Sequence, residues 1–320
     1  MNKAAPILLL LVAAAFAALT LLPLFGITNI FSDSAGTDIL WQIRVPRVLT
    51  AFIAGAALAL CGMAFQALFR NPLATPFTLG VSGGAALGAT LWLRFGLTAT
   101  WFGVAGTSLA GFIGALGAVM LVYGLTRLQK GFSTSTLLLA GIAINLFFSS
   151  LILLIQYFSD PGETFRIVRW LMGGFFLIGF RVPLTLLPFV LAGTVLLALL
   201  VREMNMLLTG EELAGARGLH VERTKKLLFL SASLMTGSVV AFCGPIGFVG
   251  LMVPHICRLL VGADHRKLMP ASLLFGGTFL ALCDTLARTA VAPVEMPVGI
   301  VTALLGGPFF IWLLFSRGKI

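Results

Sequence analysis

Charged side chains are scarce in this sequence of 320 residues. Asp, Glu, Lys and Arg make up only 10% of it, while 59% of the residues are hydrophobic. Ordinary soluble proteins carry about a quarter charged residues. So few charges could not cover the surface of a soluble protein that contains this much apolar sequence. The shortage therefore excludes soluble globular domains and predicts an all-α integral membrane protein that crosses the bilayer several times.

Recognisable catalytic and redox motifs are also missing. The four cysteines lie in apolar stretches and no two have CxxC spacing, so no disulfide framework is indicated. The sequence lacks the G-x-x-x-x-G-K-[ST] phosphate cradle, H-E-x-x-H and G-x-S-x-G, and its three histidines lack metal-ligand spacing. We therefore expect no catalytic residue, no metal site and no cofactor bound by this chain.

Acidic residues are the scarcer kind of charge, with 11 against 21 Lys and Arg. The basic residues are scattered between apolar runs, which argues against the clustered basic face of a nucleic-acid-binding module. Their excess suits the positive-inside rule of membrane proteins. With a cytoplasmic N-terminus and ten helices, 14 basic residues fall on the inner side and 7 on the outer side. Both termini are therefore predicted to be cytoplasmic.

Long apolar runs are abundant. The first, 6–25, has about 20 residues, which is the length of a membrane span rather than of a signal-peptide core. Breaks at charges and at Pro/Gly clusters predict ten transmembrane helices, at 6–25, 47–68, 76–93, 101–125, 134–158, 183–203, 225–243, 247–261, 268–290 and 296–315. No separate polar domain is indicated, so residues 1–320 are predicted to form a single transmembrane domain.

The cytoplasmic loop 204–224 contains a pattern that predicts a short helix. Thr209 is suited to cap the N-terminus of this helix, and Glu211 and Glu212 suit the positive end of its dipole. Two glycines then end it. A short capped helix in a cytoplasmic loop has the shape of a docking element, but a solvated connector would show the same pattern. Both interpretations stay open on this evidence.

Arginines lie at the predicted outer ends of several helices. Arg44 and Arg47 are three residues apart, so they become neighbours on a helix. Arg288 follows Asp284 by four residues, which predicts an ion pair between them. Exposed guanidinium groups suit bidentate capture of carboxylates from a partner. Arginines at this depth also serve as interfacial anchors, and that alternative stays open.

The outer segment 159–170 predicts a surface helix. It is expected to begin near Asp160, with a proline in the first position and Glu163 in the first turn. Arg166 and Arg169 would lie on this helix, where they either extend a docking face or act as ordinary interfacial anchors.

Ordered motifs along nearly the whole chain resemble one family. They are Arg44-Val45-Pro46-Arg47, Gln66 to Ala74, Leu79-Gly80-Val81, Leu137 to Gly141, Gly210-Glu211-Glu212-Leu213-Ala214 with Gly218-Leu219, Gly247 to Leu251, Pro254-His255, Asp264-His265-Arg266, Asp284 to Arg288, and Pro297-Val298-Gly299. In this number and order they resemble the binding-protein-dependent ABC importer permeases of the iron-siderophore, haem and cobalamin type, often called the FecCD family or type II importers.

The resemblance implies the type II importer permease fold, with about ten transmembrane helices and both termini cytoplasmic. It also implies partners: a second permease copy or a paralogue, two ATP-binding subunits, and a periplasmic or lipoprotein substrate-binding protein. ATP and Mg²⁺ would be used by the partner ATPase and not by this chain. The implied location is the inner (cytoplasmic) membrane of a bacterium.

The resemblance further implies roles for particular residues. The loop that couples the ATPase to the helices would contain Thr209, Gly210, Glu211, Glu212, Leu213, Ala214, Arg217 and Gly218. In the family, arginines that match Arg44, Arg47 and Arg288 form pockets for acidic side chains of the binding protein. A cytoplasmic gate would contain Thr134, Ser135, Asn71 and Leu73.

The implied cargo is a bulky metal chelate moved by ATP-driven alternating access. Ferric siderophore is the first expectation, and cobalamin, haem and molybdate are alternatives within the same family. A rival from another class is a secondary transporter driven by an ion gradient. The scarcity of carboxylates in the middle of the predicted helices counts against that rival.

Overall fold

The fold is a bundle of α-helices. The structure, a computed structural model, describes residues 4–26, 34–97, 99–101, 104–128, 133–175 and 178–316. The α-helices within these ranges are α1 (Ala4–Leu21), α2 (Ser34–Ile39), α3 (Val45–Phe69), α4 (Val81–Arg94), α5 (Gly106–Leu128), α6 (Thr134–Tyr157), α7 (Pro161–Leu171), α8 (Arg181–Leu199), α9 (Val201–Leu207), α10 (Glu211–Ala216), α11 (Val221–Cys243), α12 (Val249–Val261), α13 (His265–Thr289) and α14 (Val298–Ser316).

Short irregular turns complete the described secondary structure. A wide helical turn, Leu40–Arg44, leads into α3, and tight turns lie at Leu22–Leu24 and Pro76–Leu79. One pair of two-residue strands, β1 (Thr100–Trp101) and β2 (Val104–Ala105), is antiparallel, with Thr100 opposite Ala105.

Each of the ten predicted spans coincides with a helix, and most ends agree to within a few residues. Seven helices in the described part of the chain are long and apolar enough to cross a membrane. Two more, Val249–Val261 and Val298–Leu313, are apolar but shorter. The all-α, multi-pass membrane fold is thereby confirmed, while the count of ten crossings stays a prediction. Four basic residues of the orientation argument, Lys3, Lys130, Arg317 and Lys319, lie outside the described residues.

Helix α3 occupies the centre of the bundle. Its residues from Ala54 to Phe69 are all buried, and it packs against α8, α11, α12 and α13. A helix that is apolar around its whole circumference must be surrounded by other helices or by lipid. Here it is surrounded by protein, because its many alanines and glycines let neighbouring backbones approach closely.

Glycine contacts set the distance between these helices. A Cβ atom on Gly62 of α3 would overlap the backbone carbonyl of Gly250 in α12. A Cβ on Gly55 would similarly overlap the carbonyl of Gly276 in α13. Such backbone contacts replace the hydrophobic driving force that helices lack in lipid. The bundle around α3 therefore depends on small residues at a few positions.

Surface helix α7 begins where the sequence predicts. Asp160 is its N-cap and accepts a hydrogen bond from the backbone N–H of Glu163 at 2.7 Å. The Glu163 carboxylate in turn accepts from the backbone N–H of Asp160 at 3.3 Å. Pro161 holds the first helical position. This reciprocal capping box satisfies two donors that the helix itself leaves unpaired, which confirms the predicted start near Asp160.

We expect Gly62→Ala to destabilise the protein by about 1–3 kcal/mol, because the added methyl group must push α3 away from α12. The measurement is unfolding in mixed detergent micelles, followed by circular dichroism. Gly117→Ala is the matched control, since a Cβ at Gly117 meets nothing within 4 Å, and it should be neutral or slightly stabilising. Equal stability of the two variants would contradict the close contact at Gly62.

Candidate functional site

A cluster of ion pairs joins α3 to α13 at their predicted outer ends. The Arg47 guanidinium donates to both carboxylate oxygens of Asp284, with N–O distances of 3.0 to 3.1 Å. Its third nitrogen donates to the Glu295 carboxylate at 2.8 Å. The Arg47 side chain is 7% exposed and that of Asp284 1%, whereas that of Glu295 is 43% exposed. Arg47 is therefore held by one buried and one accessible carboxylate.

Two more arginines complete this outer cluster, which we define as Arg44, Arg47, Asp284, Arg288 and Glu295. Arg288 donates to the backbone oxygens of Phe25 and Leu22, both at 2.8 Å. Arg44 donates to the backbone oxygen of Leu24 at 3.3 Å. The arginines of the cluster thereby also attach the end of α1 to α3 and α13.

The geometry changes one expectation about the outer cluster and extends another. The docking hypothesis assumed exposed guanidinium groups, but Arg44, Arg47 and Arg288 are each more than nine-tenths buried. The expected ion pair between Asp284 and Arg288 is present at 3.9 Å, and Asp284 has in addition a shorter, bidentate partner in Arg47. Sequence spacing identified the neighbour one helical turn away and could not show the partner on another helix. The docking role itself stays a prediction.

The exposed arginines on the same predicted side lie elsewhere. Arg166 and Arg169 are exposed on α7, and Arg181 is exposed at the start of α8. Arg94 at the end of α4 pairs with Glu163 of α7 at 3.0 Å. Whether Arg166 and Arg169 join a docking face stays open.

The predicted loop helix is α10, and its ends are defined by glycines. Gly210, with a φ of 108°, is the N-cap. The prediction that Thr209 caps the helix is wrong, because its hydroxyl donates back to the carbonyl of Met206 at 2.8 Å. At the C-terminus, Gly218 and Leu219 donate to Gly215 and Ala214 at 2.9 and 3.0 Å. This is a Schellman motif, and the φ of 85° at Gly218 suits it.

Helix α10 has one buried face and one exposed face. Ala214 is fully buried, and Glu211 pairs with the nearly buried Lys225 of α11 at 2.6 Å. Glu212, Leu213 and Arg217 are exposed, together with Thr209 and Gly218. The two glutamates that the sequence treats alike therefore differ, since Glu211 holds α10 against α11 and Glu212 faces outward.

The predicted gate residues lie in two segments. Asn71 and Leu73 are in the turn after α3, where the Asn71 side chain accepts from the backbone N–H of Leu73 at 2.9 Å. Thr134 and Ser135 begin α6, half-buried and exposed respectively. Within the described part of the chain, no hydrogen bond joins the two segments. Gly131 and Phe132, which precede the start of α6 in the sequence, lie outside the described residues.

The turn after α3 lies close to the start of α10. The Arg70 guanidinium would be 3.6 Å from a Cβ placed on Gly210. Arg70 itself ends α3 in a left-handed conformation, with a φ of 48°. The structure therefore brings the predicted gate segment at Asn71 and Leu73 next to the predicted coupling loop. Their sequence separation gave no sign of this proximity.

Polar contacts near the predicted cytoplasmic ends were not anticipated. Arg258 of α12 donates to the Gln66 side chain of α3 at 2.8 Å. Asn205 of α9 donates to Asp264 at 2.7 Å and accepts from the backbone N–H of His265 at 2.9 Å. The N–H of Arg266, and then Asn205, lower the pKa of Asp264. One indication of such contacts was available in the sequence, because a polar residue inside an apolar run, such as Gln66, requires a polar partner on another helix.

Glu295 was also missed by sequence reasoning. It is one of only 11 acidic residues in the chain and lies in a turn between prolines, before α14. The scarcity of acidic residues was a usable signal, because seven arginines were already assigned to the outer side and required counter-charges.

The chain is similar to known transport proteins over nearly its whole length. The sequence model of the FecCD transport family matches residues 6–316. The hemin transport system permease protein HmuU of Yersinia pestis is 40% identical over 89% of this chain and 86% of its own length. The cobalamin import system permease protein BtuC of Halobacterium salinarum is 43% identical over 92% of this chain and 76% of its own length.

A solved structure has the same fold. It is described as the inward-facing conformation of a suspected metal-chelate type ABC transporter, and it superimposes on this chain with a TM-score of 0.86. The two chains are 33% identical, and the match covers 98% of each.

We expect Asp284→Asn to destabilise the protein by about 3–5 kcal/mol, because the substitution leaves buried guanidinium groups short of a counter-charge. The measurement is unfolding in mixed micelles at neutral pH. Glu222→Gln is the matched control, since Glu222 pairs with Lys226 and the two side chains are 60% and 36% exposed, and it should have little effect on stability. A similar cost for the two variants would contradict the structural role of the buried pair.

Proposed function

Because the chain belongs to the FecCD transport family, we propose that it is the membrane-spanning permease of an ABC importer for a bulky metal chelate. It is a multi-pass membrane protein, and the proposed location is the inner membrane of a bacterium. The observation that carries the proposal is α10, which presents Glu212, Leu213 and Arg217 outward while Lys225 holds its other face. This arrangement suits a helix that receives force from a docked protein.

Members of the family are importer permeases that work with ATPase and binding-protein partners. We propose the same division of labour here: two ATP-binding subunits dock on α10 of two permease copies or paralogues, and a binding protein docks outside. ATP and Mg²⁺ are used by the ATPase. The sequence supports this assignment, because it contains no phosphate cradle of its own.

The proposed mechanism is alternating access. ATP binding moves the ATPase, and α10 passes the movement to α11 through Glu211 and Lys225, whose distance is 2.6 Å. The nearby Arg70 gives a second route, to the gate at Asn71 and Leu73. The pair suits this role because the Lys225 side chain is only 3% exposed, while that of Glu211 is 33% exposed. Moving Glu211 away would therefore take a counter-charge from a buried ammonium group. Thr134 and Ser135 are the proposed second part of the gate.

We propose a ferric siderophore as the cargo, following the family resemblance. Haem and cobalamin are alternatives, and each is supported by the name of a relative. Molybdate is a further alternative within the family. We propose that the binding protein selects the cargo and that the permease pathway grips it weakly. The secondary-transporter hypothesis is disfavoured by the similarity to importer permeases and by the pairing of Asp284 with Arg47.

Reconstitution tests the proposal directly. The tagged chain is purified in gentle detergent from its native host, and co-purifying proteins are identified by mass spectrometry. A stoichiometric P-loop ATPase is expected, and the reconstituted complex should take up one of the three chelates only with ATP and a binding protein. Uptake by the chain alone, driven by an ion gradient, would support the secondary transporter.

We expect Glu212→Lys to lower ATP-dependent uptake by about tenfold, because charge reversal on the exposed face of α10 opposes ATPase docking. The measurement is cargo uptake in proteoliposomes with the co-purified ATPase. Arg127→Glu, an exposed charge reversal at the same predicted side of the membrane, is the control and should retain uptake. Unchanged uptake by Glu212→Lys would remove the coupling role of α10.

We expect Glu295→Gln to strengthen binding of an acidic binding protein several-fold. A partner carboxylate reaching Arg47 must take the place of the accessible Glu295 carboxylate, and the substitution removes this competitor. Binding is measured on the permease in nanodiscs, with Glu163→Gln as the control carboxylate that pairs outside the outer cluster. Unchanged or weaker binding would contradict docking at the outer cluster.

A further inference from the structure

A cavity of about 800 Å³ lies between the N-termini of α5 and α8, on the side predicted to face outward. Thr107 and Ser108 of α5 and Arg181 and Val182 of α8 line it, together with apolar residues of neighbouring segments. It is separate from the outer cluster, from α10 and from the predicted gate, none of which contributes a lining residue.

The walls of this cavity are fixed by backbone hydrogen bonds to the centre of the bundle. The N–H of Gly179 donates to the carbonyl of Gln42 at 2.6 Å. The N–H of Gly174 donates to the carbonyl of Cys243 at 2.8 Å. Both glycines line the cavity, so the space between α5 and α8 is a formed site with walls tied to α11 and to the turn before α3.

The polar end of the cavity favours an anion. The backbone N–H groups in the first turn of a helix have no partner within the helix and carry partial positive charge. Here the first turns of two long helices line one cavity, and neither contains an acidic residue. Arg181 adds a full positive charge and forms no ion pair within the described ranges. None of the described lining residues is acidic.

Ser108 provides an independent indication of a ligand. It is 92% buried, since its exposed fraction is 8%, and it lines the cavity. Its hydroxyl forms no hydrogen bond with a described residue, and it is not one of the fully enclosed unpaired oxygens, so it is open to the cavity. A hydroxyl in this position can donate to or accept from whatever occupies the cavity. An oxygen atom of a bound ligand would supply the missing partner.

The remainder of the cavity is mostly apolar, and its rim is exposed. Trp170 and Phe242 form part of its wall, and Ile178 and Leu184 are 81% and 65% exposed at its rim. Below Leu184, the exposed residues Leu191 and Val195 continue on the same face of α8, because seven and eleven residues are close to two and three helical turns. An acyl chain can lie along this face.

We propose that this cavity binds the phosphate group of a phospholipid from the outer leaflet. The phosphate oxygens would be held by the backbone N–H groups of Thr107, Ser108 and Val182, by the Ser108 hydroxyl and by the Arg181 guanidinium. The apolar wall and the exposed face of α8 would hold the glycerol and one acyl chain. An acidic side chain of a docking protein carries negative charge like a phosphate, but it would fill little of an 800 Å³ cavity. It would also leave the apolar rim without a contact.

The test is native mass spectrometry of the full-length chain in detergent, titrated with phosphatidylglycerol and with a glucosyl diacylglycerol of the same acyl chains. Phosphatidylglycerol should bind about tenfold more tightly, which is the order of loss when a charge-assisted hydrogen bond is removed. Arg181→Gln should abolish this preference, and Ser108→Ala should reduce it several-fold. Arg166→Gln removes an exposed arginine on the same predicted side that does not line the cavity, and it should retain the preference.

Each contrary outcome is distinct. Equal binding of the two lipids, or equal losses in Arg181→Gln and Arg166→Gln, would overturn the phosphate site. Thermal stabilisation by inorganic phosphate equal to that by phosphatidylglycerol would overturn the phospholipid assignment. Protection by an acidic binding protein without any lipid preference would identify a docking pocket instead. Thermal unfolding of each variant without lipid verifies that Arg181→Gln and Ser108→Ala retain the fold.

Discussion

Helix α3 packs so closely against its neighbours that only glycine fits at its contacts with α12 and α13. At Gly62 and Gly55 an added Cβ would overlap the backbone of the opposite helix. Apolar helices gain little from meeting one another in lipid, so close backbone contact must supply the attraction. These two contacts fix how α12 and α13 lie against α3, which also packs against α8 and α11.

The same helix connects the two ends of the molecule. Its outer end carries Arg47, which is paired with Asp284, and its inner end carries Gln66, which accepts from Arg258. The turn that follows holds Arg70 next to the start of α10. A closely packed helix moves as a rigid element rather than bending at single residues. In the proposed mechanism, α3 would pass movement of α10 to both the inner turn and the outer cluster without a long chain of separate contacts.

The sequence was least informative about polar residues that meet across helices. It predicted the start of α7 from local capping chemistry, because Asp160 and Glu163 are three residues apart and need no other helix. It could not predict that Gly210, rather than Thr209, is the N-cap of α10. Thr209 has the type of side chain that usually caps a helix, whereas Gly210 caps it through its backbone conformation alone. Nor could it separate Glu211 from Glu212, because only the position of Lys225 on α11 makes them different.

The sequence by itself determined that the chain is a multi-pass helical membrane protein, because long apolar runs have no other stable state than helices in a bilayer. The ordered motifs of the sequence also determined the family to which the chain belongs. Only the tertiary structure decided which arginines are buried and which are exposed. Arg47 and Asp284 are 237 residues apart in sequence. An isolated charge in an apolar interior costs free energy, and this cost is avoided only when α3 and α13 pack side by side and bring the two charges together.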